Sequence, residues 1–279
     1  MSNKTIVIGC SGAIGTEFVK ANKKKNILFY SRTKPKTLSK KLWKHLDLNK
    51  KIKNFPHKVK KIFFFSSPYY KTQNINNKIF ENELLWVKKI NKITKANIFI
   101  YLSSGSVYLK NHPVGSAKIK CEKYLISNLN SNYLQIWRPY NLISFLSQKY
   151  SDHFHNLLIK KFCIENKTNY TFKGSSNDER GYSTAVKFTK LIIKKSNFSK
   201  SFICNYGNSN IIKVKKIANI FREIFEKKFN KQIYYTFASS VINKNTIRFI
   251  NGIKSVDTKE DTYGILKKYF NLKIKSYAK

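Results

Sequence analysis

The sequence has no long hydrophobic segment and no paired cysteines, and we expect no leader. None of its apolar runs approaches the roughly 20 residues that a membrane-spanning helix needs, so we predict no membrane span. Met1 to Ile6 lead directly into a predicted strand, without the basic stretch and apolar run of a signal peptide. The four cysteines (Cys10, Cys121, Cys163 and Cys204) form no Cys-x-x-Cys pair, which is typical of reduced thiols that bind no metal. These absences predict a cytoplasmic protein.

Acidic residues are scarce, with 14 Asp and Glu against 55 Lys and Arg, so the formal net charge is +41. One interpretation is a nucleic-acid-binding protein, because basic side chains release counterions from phosphate. The other is a compositional bias, since lysines occur in nearly every segment together with abundant Asn, Ile and Phe, as AT-rich coding would produce. We favour the second interpretation. Either way, the charge predicts strong attraction to anionic partners.

A glycine-rich turn near the N-terminus separates a predicted strand, Thr5 to Ile8, from a predicted helix, Ala13 to Lys20. Glycines three residues apart at such a turn suit a dinucleotide pyrophosphate. The first glycine permits the tight turn, the second lets the backbone approach the phosphates, and the third lets helix and strand pack closely. The helix N-terminus then faces the negative charge. We expect the dinucleotide to contact Gly9, Ser11, Gly12, Ala13, Ile14 and Gly15.

The end of the second predicted strand carries a cation where many dinucleotide sites carry an acid. No Asp or Glu occurs between Phe18 and Leu46, and the strand is followed by Ser31 and Arg32. A guanidinium there can pair with a 2′-phosphate, whereas a carboxylate would hold the ribose 2′-hydroxyl. The pattern therefore favours NADP, with NAD as the alternative. The other interpretation is that Arg32 is one more surface cation.

Strands and helices then alternate along the chain, which contains no internal repeat or low-complexity linker. A short helical stretch precedes Asp47 and Leu48, buried strands are predicted at residues 62–67 and 97–102, and a helix at residues 79–96. This alternation predicts an α/β fold with a Rossmann-type doubly wound parallel sheet. Ligands of such sheets bind beyond the carboxyl ends of the strands.

Several short motifs together resemble the extended short-chain dehydrogenase/reductases, the NAD-dependent epimerase/dehydratase family that acts on nucleotide sugars. The resemblance runs from about Lys4 to the C-terminus. Its pieces are the three glycines, Asp47-Leu48, Phe65-Ser66-Ser67, Asn82, Ser103 to Tyr108, Gly115-Ser116-Ala117-Lys118 with Glu122, Arg138-Pro139-Tyr140-Asn141, Glu179 to Thr184, and Cys204 to Gly207.

The resemblance implies a dinucleotide domain at residues 1–142, to which later strands and helices return, and a smaller substrate-binding cap at residues 143–279. It implies that the cofactor also contacts Asp47, Leu48, Phe65, Ser66, Ser67, Lys118, Pro139 and Tyr140. Ser104 and Lys118 match the family's catalytic hydroxyl and lysine. Substrate contacts are implied for Ser104, Ser106, Asn141 and Arg180.

The family's catalytic tyrosine is missing, because the position four residues before Lys118 is Val114. In the family's Tyr-x-x-x-Lys pair the phenol exchanges a proton with the substrate while hydride passes to or from the cofactor, and an isopropyl group cannot do this. The preceding loop, Leu109 to Pro113, is also short. Tyr108 and His112 could substitute as proton carriers; alternatively, His112 is a solvated loop residue and Tyr108 packs below the cleft. Lys118 could equally be a helix-surface lysine.

After Leu142 the simple alternation of strands and helices is lost. We predict a helix at residues 152–164, a strand at 170–173, an amphipathic helix at 213–229 and a final helix at 257–270. His153 and His155 have no carboxylate cluster nearby, and we interpret them as surface residues rather than metal ligands. Arg180 would suit a diphosphate.

These observations favour an NAD(P)-binding, epimerase/dehydratase-like protein of nucleotide-sugar or surface-polysaccharide metabolism, with oxidoreductase or isomerase chemistry if it is active. The alternative is a catalytically inactive relative that acts as a dinucleotide sensor or an RNA-binding module. The expected partner is a small-molecule nucleotide sugar. A homodimer stays open, and nucleic-acid binding is open but not favoured.

Overall fold

The computed structural model describes residues 4–22, 26–36, 38–68, 77–109, 112–146, 153–241 and 254–278. The strands are β1 (Thr5–Ile8), β2 (Ile27–Ser31), β3 (Trp43–His45), β4 (Lys58–Phe64), β5 (Lys95–Leu102), β6 (Tyr133–Pro139), β7 (Leu142–Ile143), β8 (Asn169–Ser175), β9 (Glu179–Gly181), β10 (Ser183–Thr184), β11 (Phe202–Gly207), β12 (Ile211–Lys213), β13 (Tyr234–Ser239) and β14 (Ser255–Asp257). The helices are α1 (Ala13–Ala21), α2 (Asn77–Ile93), α3 (Pro113–Asn128), α4 (Phe154–Leu158), α5 (Ala185–Lys195), α6 (Val214–Phe229) and α7 (Thr262–Lys275). A 3-10 turn spans Gly105–Tyr108, and a π-helix at Ile159–Ile164 continues α4.

A parallel sheet of eight strands, in the order β14-β11-β6-β5-β4-β1-β2-β3, forms the centre of the molecule. From β1 the chain moves through β2 to the edge strand β3, then crosses to β4 on the other side of β1. The direction of winding therefore reverses between β1 and β4, and this reversal is where open α/β sheets bind ligands. The predicted doubly wound sheet is confirmed.

The sheet is buried on both faces because successive side chains of its strands point to opposite sides. Ile6 and Phe64 pack with Val87 of α2 on one face. Val7 and Phe63 pack with Phe18 of α1 on the other, together with residues of α5. This arrangement explains the apolar runs of β1, β4 and β5, in which both alternate sets of side chains are hydrophobic.

The second half of the chain forms a separate hydrophobic cluster and also returns to the sheet. The cluster joins the α4 and π-helix segment to α6, α7 and β8, with Phe162, Phe221 and Phe270 fully buried. Three two-stranded sheets, β10-β7, β12-β9 and β13-β8, surround it. In contrast, β11 and β14 extend the large sheet, and α5 lies against it. A boundary at residue 142 stays a prediction.

Three predicted elements differ from the structure. The helix predicted at residues 79–96 ends at Ile93, because residues 95–96 pair with β4 as the start of β5. The stretch before Asp47 is not helical: Trp43 to His45 form edge strand β3, which pairs with β2, and the Trp43 indole N–H donates to the Ser31 hydroxyl at 3.1 Å. The last helix begins at Thr262 rather than Asp257, because residues 255–257 pair with β11 as β14. The amphipathic helix at 213–229 is confirmed by α6. Parts of the predicted loop 109–113 and of the predicted helix 152–164 lie outside the described residues.

Among the helices that the structure describes, none is long and apolar enough to cross a membrane.

Candidate functional site

A cavity of about 640 Å³ opens at the carboxyl ends of β1, β2, β4, β5 and β6. Most of the residues that sequence and resemblance assigned to a site line it: Gly9, Ser11, Gly12, Ala13, Ile14, Ser31, Arg32, Asp47, Leu48, Phe65, Ser66, Ser67, Ser104, Pro139, Tyr140 and Asn141. Four other predicted site residues are described but do not line the cavity: Gly15, Ser106, Lys118 and Arg180. The sheet topology thus brings together motifs that are more than a hundred positions apart in the chain.

The glycine-rich turn forms one wall of the cavity, and two of its glycines, Gly9 and Gly15, are sterically required. Gly9 has a φ of +88°, and a Cβ atom there would lie 2.6 Å from the backbone nitrogen of Ser66. A Cβ on Gly15 would lie 2.3 Å from the carbonyl oxygen of Gly9. Gly12 is the N-cap of α1, and Gly12, Ala13 and Ile14 line the cavity. The free N–H groups at the start of α1 therefore face the cavity, which suits a phosphate group.

At the end of β2 the protein itself satisfies the Ser31 hydroxyl, and Arg32 stays exposed. Ser31 is buried; its hydroxyl donates to the carbonyl of Thr33 at 2.7 Å and lies 3.0 Å from the Cys10 sulfur. Burial raises the pKa of the Cys10 thiol to about 11, so this group stays protonated. The exposed Arg32 guanidinium and the Asp47 carboxylate line the same cavity. The cavity wall near the end of β2 therefore carries both a positively charged and a negatively charged side chain.

Ser104 lies at the carboxyl end of β5, where it caps the 3-10 turn. Its hydroxyl accepts from the backbone N–H of Ser106 at 3.2 Å and lies 3.0 Å from the Ser106 hydroxyl, which donates to it. Ser106 is buried and does not line the cavity, but its hydroxyl contacts Ser104, which does. A Cβ on Gly105 would lie 2.5 Å from the Tyr140 ring, so glycine lets this aromatic wall approach the turn.

Lys118 is held in a buried ion pair with Glu83, a residue that sequence reasoning missed. The Lys118 ammonium lies 2.5 Å from the Glu83 carboxylate and donates to the carbonyl of Leu102 at 2.9 Å. Ser67 and Tyr101 also donate to the Glu83 carboxylate, at 2.9 and 2.8 Å. Both ionic side chains are nearly inaccessible, with relative exposures of 5% and 0%. Lys118 is therefore not a helix-surface lysine.

A second ionic cluster lies beneath the 3-10 turn and binds Tyr108. Arg138 donates to the Glu122 carboxylate at 3.0 and 2.5 Å and to the Tyr108 hydroxyl at 2.8 Å. The Tyr108 hydroxyl in turn donates to Asn205 at 3.0 Å, and its ring stacks on Tyr140. Tyr108 does not line the cavity. Tyr108 is 42% exposed, and its hydroxyl is held by Arg138 and Asn205 outside the cavity, so its role as a proton carrier or a packing residue stays a prediction.

His112 caps helix α3. Its Nδ1 accepts from the backbone N–H of Gly115 at 3.3 Å, and burial lowers the pKa of the imidazole. His112 is half-buried and lies outside the cavity wall, so it is not a solvated loop residue. Val114 occupies the first turn of α3, just after this cap.

The interpretation of His155 as a surface residue is wrong. His155 is 3% exposed and lines the cavity together with His153, which is exposed as expected. The physical reason is the helical period: His155 precedes Leu158, Ile159 and Phe162 by three, four and seven positions, and all three are buried. This spacing was the signal in the sequence. Burial, with His153 beside it, lowers the pKa of His155 well below its ordinary value.

Arg180 lies on β9, away from the cavity. Its guanidinium donates to the carbonyl of Glu179 at 2.9 Å and to the Asp178 carboxylate at 3.5 Å, while β9 pairs with β12. Within the described ranges no cluster of three or more His, Cys, Asp or Glu residues could hold a metal ion.

Comparison with known proteins identifies solved structures with a similar fold. No model of a protein family matches the chain, and no curated protein matches it. Among solved structures, the chain is similar to a UDP-glucose 4-epimerase, with a TM-score of 0.68, 16% identity and 98% of each chain covered. It is also similar to MoeE5 in complex with UDP-glucuronic acid and NAD, with a TM-score of 0.64, 15% identity and 98% of each chain covered.

A third similar structure is the UDP-N-acetylglucosamine 4-epimerase from Methanobrevibacter ruminantium M1 in complex with UDP-N-acetylmuramic acid. Its TM-score is 0.62 at 16% identity, with 99% of this chain and 100% of that chain covered. The similarity extends over the whole length of the chain, cap region included. The protein therefore has the same fold as these UDP-sugar 4-epimerases.

Proposed function

We propose that the protein binds a nicotinamide dinucleotide and a nucleotide sugar in this cavity, as an epimerase/dehydratase-like protein. The observation that carries the proposal is the shared wall of the cavity. The glycine-rich turn and the N-terminus of α1 form one part of it, and Ser104 and Asn141, at the ends of β5 and β6, form another. The NAD and UDP-sugars bound in the similar structures support this assignment.

The residues present fit each part of a dinucleotide. Close backbone approach at Gly9 and Gly12 and the start of α1 would hold the pyrophosphate. Arg32 would pair with a 2′-phosphate, so we propose NADP as the cofactor, with NAD as the alternative. A bound nicotinamide would supply the hydride acceptor or donor. Ser104, oriented by Ser106, would hydrogen-bond the substrate hydroxyl at which a proton moves.

Binding of the two dinucleotides to the full chain tests the proposal. We expect Arg32→Ala to weaken NADP+ binding roughly tenfold to a hundredfold, because a charge-assisted hydrogen bond contributes about 1.5–3 kcal/mol, and to leave NAD+ binding unchanged. Lys34→Ala is the matched control, since Lys34 is exposed on the same loop but does not line the cavity. Calorimetric titration gives both affinities. Absence of binding to either dinucleotide by the unaltered chain would contradict the proposal.

Val114 favours a second candidate function, a dinucleotide-binding protein without catalysis. If the missing phenol limits catalysis, Val114→Tyr should raise hydride transfer with UDP-glucose toward the lower end of the ~10²–10⁴-fold that general acid–base groups contribute. The lower end is expected because Lys118 stays paired with Glu83. The absorbance of reduced nicotinamide measures the rate, and Val114→Phe supplies the ring without the hydroxyl. Equal rates for both variants would refute this expectation.

The RNA-binding form of the alternative is tested by the dependence of binding on salt. Phosphate-driven binding by a chain of net charge +41 must weaken steeply as salt rises. RNA binding that follows this dependence, with no turnover by the unaltered chain, would favour the alternative over an enzyme.

A further inference from the structure

The Ser67 hydroxyl links the cavity wall to the buried ion pair behind it. Ser67 is exposed and lines the cavity. Its hydroxyl donates to the Glu83 carboxylate at 2.9 Å, while Glu83 itself is fully buried and does not line the cavity. The same carboxylate holds the Lys118 ammonium at 2.5 Å. A charged group that does not itself line the cavity therefore acts on the wall through one serine.

The ion pair fixes the direction in which the Ser67 hydroxyl donates. A carboxylate can only accept hydrogen bonds, so the single proton of the hydroxyl is committed to Glu83. The other oxygen of Glu83 accepts from Lys118 and Tyr101, and neither of these residues lines the cavity. Both oxygens of the carboxylate are thus engaged. Ser67 offers the cavity the lone pairs of its oxygen, which can accept a hydrogen bond but cannot donate one.

Lys118 is engaged behind the cavity wall. Its ammonium donates to Glu83 and, at 2.9 Å, to the carbonyl of Leu102, and the Tyr101 ring lies 5.1 Å away. The family resemblance implied that Lys118 contacts the cofactor. To reach a molecule in the cavity, the ammonium would have to leave Glu83 and strand a buried carboxylate, which is strongly unfavourable. The exposed Ser67, in front of the pair, is within reach of such a molecule.

Ser67 lies between the glycine-rich turn and Ser104. On one side the preceding residue packs on the turn, because a Cβ on Gly9 would lie 2.6 Å from the backbone nitrogen of Ser66. On the other side the ion pair is anchored at the carbonyl of Leu102, two residues before Ser104. In a nicotinamide dinucleotide a ribose joins the pyrophosphate to the nicotinamide. With the pyrophosphate at the turn and the nicotinamide near Ser104, this ribose is the part of the molecule that comes opposite Ser67.

We infer that Glu83 is a positioning residue, which orients Ser67 to accept a hydrogen bond from a hydroxyl of the ribose next to the nicotinamide. This inference rests on the proposed function. A ribose hydroxyl can donate a hydrogen bond, whereas an ionised phosphate only accepts. An oxygen that only accepts therefore selects the sugar over the neighbouring phosphates. The charges of Glu83 and Lys118 cancel, so the pair adds no net charge to this part of the wall.

A cycle of substitutions separates an action through Ser67 from a direct contact by Lys118. Ser67→Ala removes the accepting oxygen. Glu83→Gln with Lys118→Met, here the ion-pair variant, removes both charges together. It keeps the net charge of the chain and should keep the fold, because replacing both partners of a buried pair is often neutral for stability. A triple variant carries all three changes.

Two further variants complete the set. Ser209→Ala is the matched control, because Ser209 is also exposed and hydrogen-bonds to a carboxylate, that of Asp257, but does not line the cavity. Glu83→Asp replaces the ion-pair variant if that variant does not fold. Its shorter side chain draws the carboxylate away from Ser67 and keeps both charges.

The full chain is titrated by calorimetry with NADP+, with 2′-phospho-ADP-ribose, which lacks the nicotinamide, and with 2′-phospho-ADP, which also lacks the ribose. NAD+, ADP-ribose and ADP replace these ligands if the chain prefers NAD+. We expect Ser67→Ala to weaken binding of the first two ligands about tenfold, the effect of one lost hydrogen bond. The ion-pair variant, or Glu83→Asp, should weaken both at least about threefold, because the hydroxyl is no longer oriented.

The triple variant should bind these two ligands about as weakly as Ser67→Ala, because both sets of changes remove the same interaction and their effects do not add. The affinity for 2′-phospho-ADP should stay within about twofold in every variant. Ser209→Ala should change none of the three affinities.

Each other result overturns the inference. Unchanged NADP+ affinity in Ser67→Ala removes the hydrogen bond, and a loss confined to NADP+ moves it from the ribose to the nicotinamide. Equal losses for all three ligands indicate a distorted wall. Losses that multiply in the triple variant show that the ion pair acts on the ligand independently of Ser67. If the unaltered chain binds neither NADP+ nor NAD+, the proposed function itself fails, and this outcome is distinct from the others.

Discussion

Glu83→Gln is expected to lower the free energy of unfolding by about 3–5 kcal/mol, the range measured when one partner of a buried ion pair is removed. The variant leaves the Lys118 ammonium 4% exposed, with the Leu102 carbonyl at 2.9 Å and the Tyr101 ring at 5.1 Å as its remaining contacts. Ser67 and Tyr101 donate to different oxygens of the carboxylate, and an amide keeps only one acceptor oxygen, so the loss includes one hydrogen bond as well as the charge. Denaturant unfolding followed by circular dichroism measures it.

Two controls separate a buried charge from a surface charge. Glu165→Gln removes a carboxylate that has three lysines, Lys160, Lys161 and Lys167, within 4.0 Å but is partly exposed. Its effect should be much smaller, because solvent screens such pairs. The double variant Glu83→Gln with Lys118→Met should recover most of the stability, since no unpaired charge remains. A double variant as unstable as the single one would rule out this explanation.

Gly15→Ala should abolish dinucleotide binding and destabilise the fold by about 1–3 kcal/mol, the cost typical of overpacking. The added methyl would lie 2.3 Å from the Gly9 carbonyl oxygen and 2.6 Å from the Cys10 Cα, and these are backbone atoms that cannot rotate away. Either α1 or the glycine-rich turn must shift. Because that turn lines the cavity, the shift displaces the groups that we propose to face the phosphates.

Two further glycines provide graded controls for this prediction. A Cβ on Gly12 meets its nearest heavy atom, the Gly9 carbonyl oxygen, at 3.4 Å, so Gly12→Ala should keep the fold and lose affinity by projecting a methyl at the ligand. Gly174→Ala has nothing within 4 Å and should change neither quantity. Thermal unfolding and dinucleotide titration of all three variants give the comparison. Tight binding by Gly15→Ala would disprove the assignment of the turn.

Local patterns predicted the strands and the glycine-rich turn at the cavity, and the family resemblance supplied most of the other residues of its wall. The apolar runs of β1, β4 and β5 are nearly continuous because both faces of these strands are buried, and each run ends at the small residues that line the cavity. The edge strand β3 has only three residues, two of them exposed, so it carries no such pattern. Its existence depends on pairing with β2, which is a contact between segments rather than a property of either.

Local sequence patterns failed to predict which polar residues are buried and what they contact. Glu83 precedes Val87 and Ile90 by four and seven positions, and the same helical period would have placed it on the inner face of α2. Its partner, Lys118, comes from another helix and is 35 residues away in the chain. The helical spacing of apolar residues can predict that one charged side chain is buried, but it cannot predict which residue neutralises that charge. The same holds for His155, whose tyrosine neighbours come from β9–β10 and α7.

The sequence by itself determined the doubly wound sheet, the glycine-rich turn before α1, and the polar residues at the strand ends, because each depends on the chemistry of a few consecutive residues. Only the tertiary structure decided which side chains face the cavity. It paired Lys118 with Glu83, placed Arg180 on β9 and turned His155 inward. The physical reason is that the surroundings of a side chain are set by distant segments that folding brings together. The spacing of apolar residues along one segment does not show which other segments these are.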